Sequence, residues 1–560
     1  MNTQDLLSPL DALARQVARQ PDAIGFIQPL GGGRLREYSW RQIDDEARRM
    51  ASYIGTLGLP PHSNIALMSK NCAEWILCDL AIWMAGHVSV PLYPTLAAQT
   101  VNQIMTHSGA TVLFVGKLDT WHEMAPGVPE NVRRIAFSLA PEEARAAYPV
   151  WTDLVAKHPP LQNVAKPAMS DLATIIYTSG TTGMPKGVMH DFGRFAAIGT
   201  GAGAVYAMSD KDRLISYLPL SHVAERVAVE GAMLYNGMRV FFAESLETFG
   251  QDIQRARPTV FFAVPRIWSK FYQKVCEKMP PQKLDLLLKI PVLRGIVRKK
   301  LLTALGLNEC RLALSGAAAL SPELIAWYRR LGLEILEVYG MTENMAWSHT
   351  TRIGDQQIGY VGKTNPGVEC RIGEHGEILV KSPGNMLGYY KEPEMSANAF
   401  IDGVWLRTGD QGELDAEGRL KITGRLKEIF KTSKGKYVAP TPIENKLVGL
   451  PGIELVCVCG ADMPQPIALI NLTPEEKTKM AEHAHEREHF AKALEELRRD
   501  VNETLDPHEQ LACCVVVRDA WTVENNIVTP TLKIKRNELE KHYADRLPKW
   551  QKGKGVIWET

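Results

Sequence analysis

Tyr177-Thr-Ser-Gly-Thr-Thr-Gly-Met-Pro-Lys-Gly187 places three glycines, four hydroxyl residues and one lysine directly after the apolar run Leu172 to Ile176. Such a loop can turn tightly, bring bare backbone N–H groups against a polyphosphate, and add hydroxyl donors and a cation. It departs from the GxxxxGK[ST] nucleotide loop, because Lys186 is preceded by Pro185 and followed by Gly187. A Gly/Ser/Thr-rich surface loop is the ordinary alternative for a short GTTG fragment. The full run is much more specific than that fragment.

Working outward, short β-rich apolar runs alternate with longer mixed segments from about Thr111 to Val338. Strands are expected at 111–115, 172–177, 213–218, 239–243, 259–264, 311–314 and 334–338. This alternation predicts an α/β fold with layered, mostly parallel sheets covered by helices. Glycine and charge become dense after Gly403. Beyond Gly424 the sequence restarts, with a Lys/Gly-rich hairpin at 427–437, strands near 455–458, 467–472 and 513–517, and a charged helix from Glu475 to about Glu503. The expected division is therefore a large N-terminal domain, residues 1–423, and a smaller α+β C-terminal domain, residues 424–560.

Several further elements carry chemistry. In Glu337-Val-Tyr-Gly-Met-Thr-Glu343, Tyr339 offers a flat face for a base and Gly340 permits close approach. Met341 lies within the same run, Thr342 supplies a hydroxyl, and Glu343 is a hard oxygen ligand suited to Mg²⁺. Asp410, in Trp405-Leu-Arg-Thr-Gly-Asp410, suits two vicinal hydroxyls, and Arg425 can donate to ribose or phosphate oxygens. Ser315-Gly-Ala-Ala-Ala-Leu320 and Thr529-Pro-Thr-Leu-Lys-Ile-Lys-Arg536 complete the set. Each fragment alone reads as a turn, a cap or a solvated charge, and it is their joint order that is informative.

Together these elements resemble the adenylate-forming superfamily of acyl-CoA synthetases, luciferases and adenylation domains. Pro219-Leu-Ser-His-Val-Ala-Glu-Arg226, Phe262-Ala-Val-Pro-Arg-Ile-Trp268 and Lys431 to Pro440 are most similar to long-chain fatty acyl-CoA synthetases of the bubblegum type. The resemblance runs from about Trp75 to Arg536. It implies that Thr178, Ser179, Gly180, Thr181, Thr182 and Lys186 hold the phosphates of ATP, with Thr178 and Glu343 at Mg²⁺. Gly316, Ala317 and Ala318 would form the adenine shelf beside Tyr339, Gly340 and Met341, although Ala317 and Ala319 replace the Gly and Pro of the commonest SGGAPL form. Asp410 and Arg425 would hold the ribose, and His222 would lie beside the carboxylate and α-phosphate.

Lys533, with Thr342, Glu343 and His222, would serve catalysis, and Lys535 is the competing lysine. The C-terminal domain would be a mobile lid pivoting at Lys427, with Gly435 beside the CoA tunnel. The implied reaction is ATP-dependent ligation of a medium- or long-chain fatty acid to CoA through an acyl-adenylate. Aryl acids, a carrier-protein acceptor and a catalytically silent lipid-binding relative are the alternatives.

Composition bounds the partners. A formal net charge of +1 over 560 residues gives no global basis for nucleic-acid binding. Nine scattered cysteines without a CxxC pair fit reduced thiols in the cytoplasm. No basic, apolar-cored leader opens the chain. Leu284–Leu307 is apolar and basic, broken by Pro291 and Gly295. It either packs its apolar face on the protein or makes weak peripheral contact with the inner face of a membrane. Oligomeric state is left open, a homodimer included.

Overall fold

The computed structural model describes residues 6–178, 184–523, 525–529 and 533–559, the side chains of 281 and 282 excepted. A seven-stranded sheet forms the first layer, in the order 388–389, 186–191, 172–178, 88–92, 64–68, 112–115, 133–136. Its strands from 172–178 to 133–136 are mutually parallel. The two strands at its other end are antiparallel. A four-stranded sheet is built from 35–39, 24–29, 239–242 and 213–216, and a five-stranded sheet from 260–263, 312–315, 335–339, 349–350 and 363–364.

The helix Ala73–Met84 shows why these layers pack together. It is apolar nearly all round, and every one of its residues is buried, as expected of a helix enclosed by other elements. Its one central charge, Asp79, pairs with Arg226.

Every strand expected between Thr111 and Val338 is present, displaced by a residue or two at its ends. The structure adds the strands 24–29, 35–39 and 64–68, and an antiparallel sheet over 369–425, that the sequence reading did not anticipate. In that sheet the strand Trp405–Leu414 alternates buried and open positions, but its buried sites include Thr408, Asp410 and Gly412. Period-2 hydrophobicity, the usual strand signal, is thus absent from it.

The C-terminal part is α+β. A four-stranded sheet runs 453–459, 467–472, 513–516, 555–558, its first pair antiparallel and the rest parallel. Val456, Val458, Ala468 and Ile470 feed one apolar cluster, while Cys457, Cys459, Ile467 and Leu469 feed another. Alternate residues thus fill the two faces of one sheet. The single charged helix expected from 475 to 503 is two helices, Pro474–Glu482 and Ala484–Glu503, separated at His483 by extended backbone. All nine cysteines are free thiols. Among the described residues no helix is long and apolar enough to cross a membrane.

Candidate active site

A cavity of about 2410 Å³ lies between the two parts of the chain and draws its wall from both. The opening motif reaches it as a hairpin rather than as the entry to a helix. Thr178 ends one strand and Lys186 begins the next, and the two are paired across the antiparallel ladder. Both line the cavity. Ser179, Gly180, Thr181 and Thr182 lie outside the described residues. Lys186 Nζ sits 5.3 Å from the centre of the Tyr389 ring, and the Tyr389 hydroxyl donates to Glu343 Oε1 at 2.9 Å.

The segment carrying Tyr339, Gly340, Met341, Thr342 and Glu343 leaves the parallel strand Ile335–Tyr339 at its C-terminal end, where ligand crevices form in open α/β sheets. All five residues line the cavity. Met345 and Ala346, both at positive φ, fold the chain back over Gly340. A Cβ at Gly340 would lie 2.4 Å from the Ala346 carbonyl carbon, so glycine is required there for packing. The buried His190 donates from Nε2 to the Thr342 carbonyl at 2.8 Å. Burial pushes that imidazole down to about 3, which keeps it neutral at pH 7.

Asp410 is the centre of a three-residue contact. It accepts from the Tyr339 hydroxyl at 2.7 Å and from Arg425 Nε at 2.8 Å. Asp410 and Arg425 face each other on paired strands. Asp410 is buried, while about half of the Arg425 side chain is open to water. Ala317 and Ala318 line the cavity, and Ala317 takes φ +68°, a left-handed conformation that favours glycine. Gly316 does not line it; a Cβ there would strike Val338.

His222 caps the short helix Val223–Glu225, its Nδ1 accepting from the Ala224 N–H at 3.1 Å. That acceptor role fixes the tautomer and leaves Nε2 as the protonated nitrogen. Burial, reinforced by the charge of Lys533, pushes its pKa down to about 3.

Lys533 comes from the C-terminal part. Its backbone N–H donates to Thr529 Oγ1 at 3.1 Å, and its carbonyl accepts from the Thr529 N–H. The side chain meets the water of the cavity but is ringed by protein charge. Burial and Arg425 lower its pKa, while Asp410, Glu343 and Glu428 oppose them. Lys535 also borders the cavity, but its ammonium donates to Asn526 within its own domain. Gly435, at φ +77° in the 427–437 hairpin, does not line the cavity in this arrangement.

Three cavity groups escaped the sequence reading. Tyr389 stands on a two-residue edge strand that only tertiary pairing creates. Glu337 and Ser315 sit on neighbouring parallel strands. Burial raises the Glu337 carboxyl to about 7. Its Oε2 and the Ser315 hydroxyl have no hydrogen-bond partner among the described residues. Glu337 lies within the quoted EVYGMTE run, so a signal was available.

Two family models match the chain. A profile described as AMP-binding enzyme matches residues 13–390, and one described as AMP-binding enzyme C-terminal domain matches 427–551. The chain is 31% identical to a long-chain-fatty-acid–CoA ligase of Mycobacterium bovis, over 94% of each chain. It is 29% identical to the peroxisomal long chain acyl-CoA synthetase 7 of Arabidopsis thaliana, covering 92% of this chain and 82% of that one. Its fold matches the adenylation domain of a carboxylate reductase from Mycobacterium chelonae with a TM-score of 0.81 at 22% identity, over 98% of this chain and 91% of that one. With its fold, its paired motifs and its sequence all in agreement, the chain belongs to the family of AMP-binding enzymes.

Proposed function

We propose that the protein is an ATP-dependent fatty acid–CoA ligase acting on medium- to long-chain acids. The observation that carries this reading is the meeting of Lys533 with His222, Glu343, Asp410 and Arg425 around one cavity. Relatives named as long-chain-fatty-acid–CoA ligases, similar over nearly the full chain, support the fatty substrate. A fatty acid partitions into bilayers, so the reading includes loose contact with the inner face of the membrane.

A carboxylate acylates poorly because its leaving group would be oxide. Attack of a carboxylate oxygen on the α-phosphorus of ATP forms the acyl-adenylate and expels pyrophosphate. The CoA thiol then adds to the acyl carbon, loses its proton and displaces AMP. Both steps depend on positioning and on stabilising charge. Asp410 would accept from the ribose hydroxyls while Arg425 and Tyr339 hold its carboxylate in place.

His222, neutral and protonated on Nε2, would donate to the substrate carboxylate or α-phosphate without adding charge. Lys533 would neutralise the α-phosphate as pyrophosphate departs, and Lys186 with Thr178 would hold the departing phosphates. The donor set fits Mg²⁺: Glu343 presents a hard carboxylate with one oxygen on Tyr389, and Thr178 lines the same cavity. Mg²⁺ would be bound by this one carboxylate together with substrate phosphates and water. When bound, Mg²⁺ would screen the phosphate charge.

We place the domain division between residues 423 and 424, with the lid pivoting at Lys427. That rotation would withdraw Lys533 and bring Gly435 towards CoA for the second step. Lys533→Ala should slow acyl-adenylate formation, measured as pyrophosphate release, by about 10²–10³-fold. Thioester formation from supplied acyl-adenylate should stay within about three-fold of wild type. Equal loss of both half-reactions would remove the assignment.

A further inference from the structure

The two helices Pro281–Lys289 and Pro291–Ala304 form a corner that projects from the protein. The second is apolar on more than one side, as a buried helix would be, yet none of its residues is buried. Its inner side is anchored: Val297, Leu301 and Leu302, with Leu288 of the first helix, pack on an apolar core. Arg298 Nε donates to the Arg330 carbonyl at 2.7 Å, and Arg330 pairs with Asp285 at 2.6 Å. The corner is thus fixed to the body, and its outer face does not arise from a loose segment.

That outer face is apolar. Leu286, Ile290, Val292, Leu293 and Ile296 are 63, 41, 78, 36 and 62% exposed, and all eight residues from Lys289 to Ile296 are exposed. No other stretch of the described chain gathers large exposed apolar side chains this densely. Concentrations of this kind mark interaction surfaces.

Charge selects the partner. Between Lys278 and Lys300 the chain carries seven basic residues and one acidic residue, Asp285, in a protein whose net charge is only +1. Asp285 is itself engaged by Arg330. An apolar wedge flanked by cations matches an anionic bilayer surface, where aliphatic groups enter the headgroup boundary and Lys/Arg side chains reach phosphate.

We propose that the corner formed by Ile290, Val292, Leu293 and Ile296, with Lys289, Arg294, Lys299 and Lys300 around it, docks the protein on anionic membranes. The helix Pro265–Lys278 leads directly into this corner, and its residues Arg266, Ser269, Lys270 and Gln273 line the active-site cavity. Over about 21 Å, the length of a 14-residue helix, the chain thus connects the cavity wall with the docking surface. Delivery of a membrane-partitioned acid rests on the fatty-acid reading above, whereas bilayer binding stands without it.

The test is co-sedimentation of the full-length protein with vesicles of phosphatidylcholine containing about one-third phosphatidylglycerol, against pure phosphatidylcholine vesicles. Wild type should bind the anionic vesicles, and added salt should weaken that binding. Val292→Asp/Ile296→Asp, and separately Lys299→Glu/Lys300→Glu, should each lower it by about ten-fold or more. Both variants should keep the wild-type melting temperature and ligase activity on a soluble medium-chain acid.

No binding by wild type, or binding unchanged in both variants, would overturn the proposal. So would a wild-type dimer that Val292→Asp/Ile296→Asp converts to monomer without any vesicle binding, since the patch would then be a protein interface. Absence of ligase activity towards every acid tested would instead remove the functional reading and leave the vesicle result intact.

Discussion

Two clusters pair an arginine with carboxylates, and they differ in what each leaves unused. Arg226 is wholly enclosed. Its Nε donates to Glu230 at 3.1 Å, Nη1 to Thr174 at 2.6 Å and Nη2 to Asp79, while Trp75, Trp83 and Phe195 surround the guanidinium at 5.2–5.6 Å. Burial and the charge of Asp79 raise the Glu230 pKa well above the carboxylate range, so the arginine is balanced by Asp79. Arg425 instead spends Nε on Asp410 and keeps about half its side chain open to the cavity. Arg226 acts as an internal tie, and Arg425 retains donors for a ligand. Both belong to equally conspicuous motifs, so motif membership alone does not separate them.

The largest effect that could break this contrast is at Asp79. Asp79→Ala leaves a buried guanidinium without its counter-charge and should destabilise the N-terminal part by about 3–5 kcal/mol, seen as an earlier thermal transition. Unchanged melting with lost ATP binding would place Arg226 in the site instead. Next comes Asp410→Asn, which keeps the size of the side chain but weakens acceptance from Arg425 and ribose. It should cut kcat/KM for ATP about 10–100-fold while costing about 1 kcal/mol or less of stability. A stability loss as large as that of Asp79→Ala would erase the distinction.

The smallest expected effect sharpens the structural side. Glu225 is buried and accepts at one oxygen from Asn71 at 3.2 Å and from Ser216 and the Tyr217 N–H at 3.0 Å. Burial raises its pKa to about 8. A raised folded-state pKa contributes stability that is complete below the unfolded carboxylate value and is lost as pH climbs through the folded one. Between about pH 5 and 8 this group alone should therefore weaken folding by up to about 1.4 kcal/mol per pH unit. Glu225→Gln should flatten that slope in melts taken across the range. An identical slope in the variant would mean that the carboxyl is ionised in the fold.

Much of the architecture was legible in the sequence because parallel strands buried on both faces read as continuous apolar runs, as at Leu172–Ile176. The motif residues Lys186, Glu343, Asp410, Arg425 and Lys533 were legible for a different reason: each lies inside a short run of unusual composition. Tyr389 offered no such run, since its place depends on pairing Gly388 and Tyr389 with Met189 and Val188 far away in the chain. The sheet over 369–425 stayed hidden because several of its buried positions are polar or lack a side chain. The outer face at Val292 and Ile296 could not be told from an inner one, because periodicity shows that a side is apolar but not what covers it.

Arg425 is the last residue of its strand, and the next residue, Leu426, donates back to the Gly409 carbonyl. In the proposed cycle the pivot at Lys427 lies two residues beyond it, so Arg425, although on the C-terminal side of the 423/424 division, does not swing. Asp410, Tyr339 and Arg425 therefore stay with the stationary body while Lys533 departs. The nucleotide then has a permanent host and a visiting catalyst. AMP should outlast the lysine in the site and leave late, so excess AMP should trap the enzyme after acyl transfer has finished.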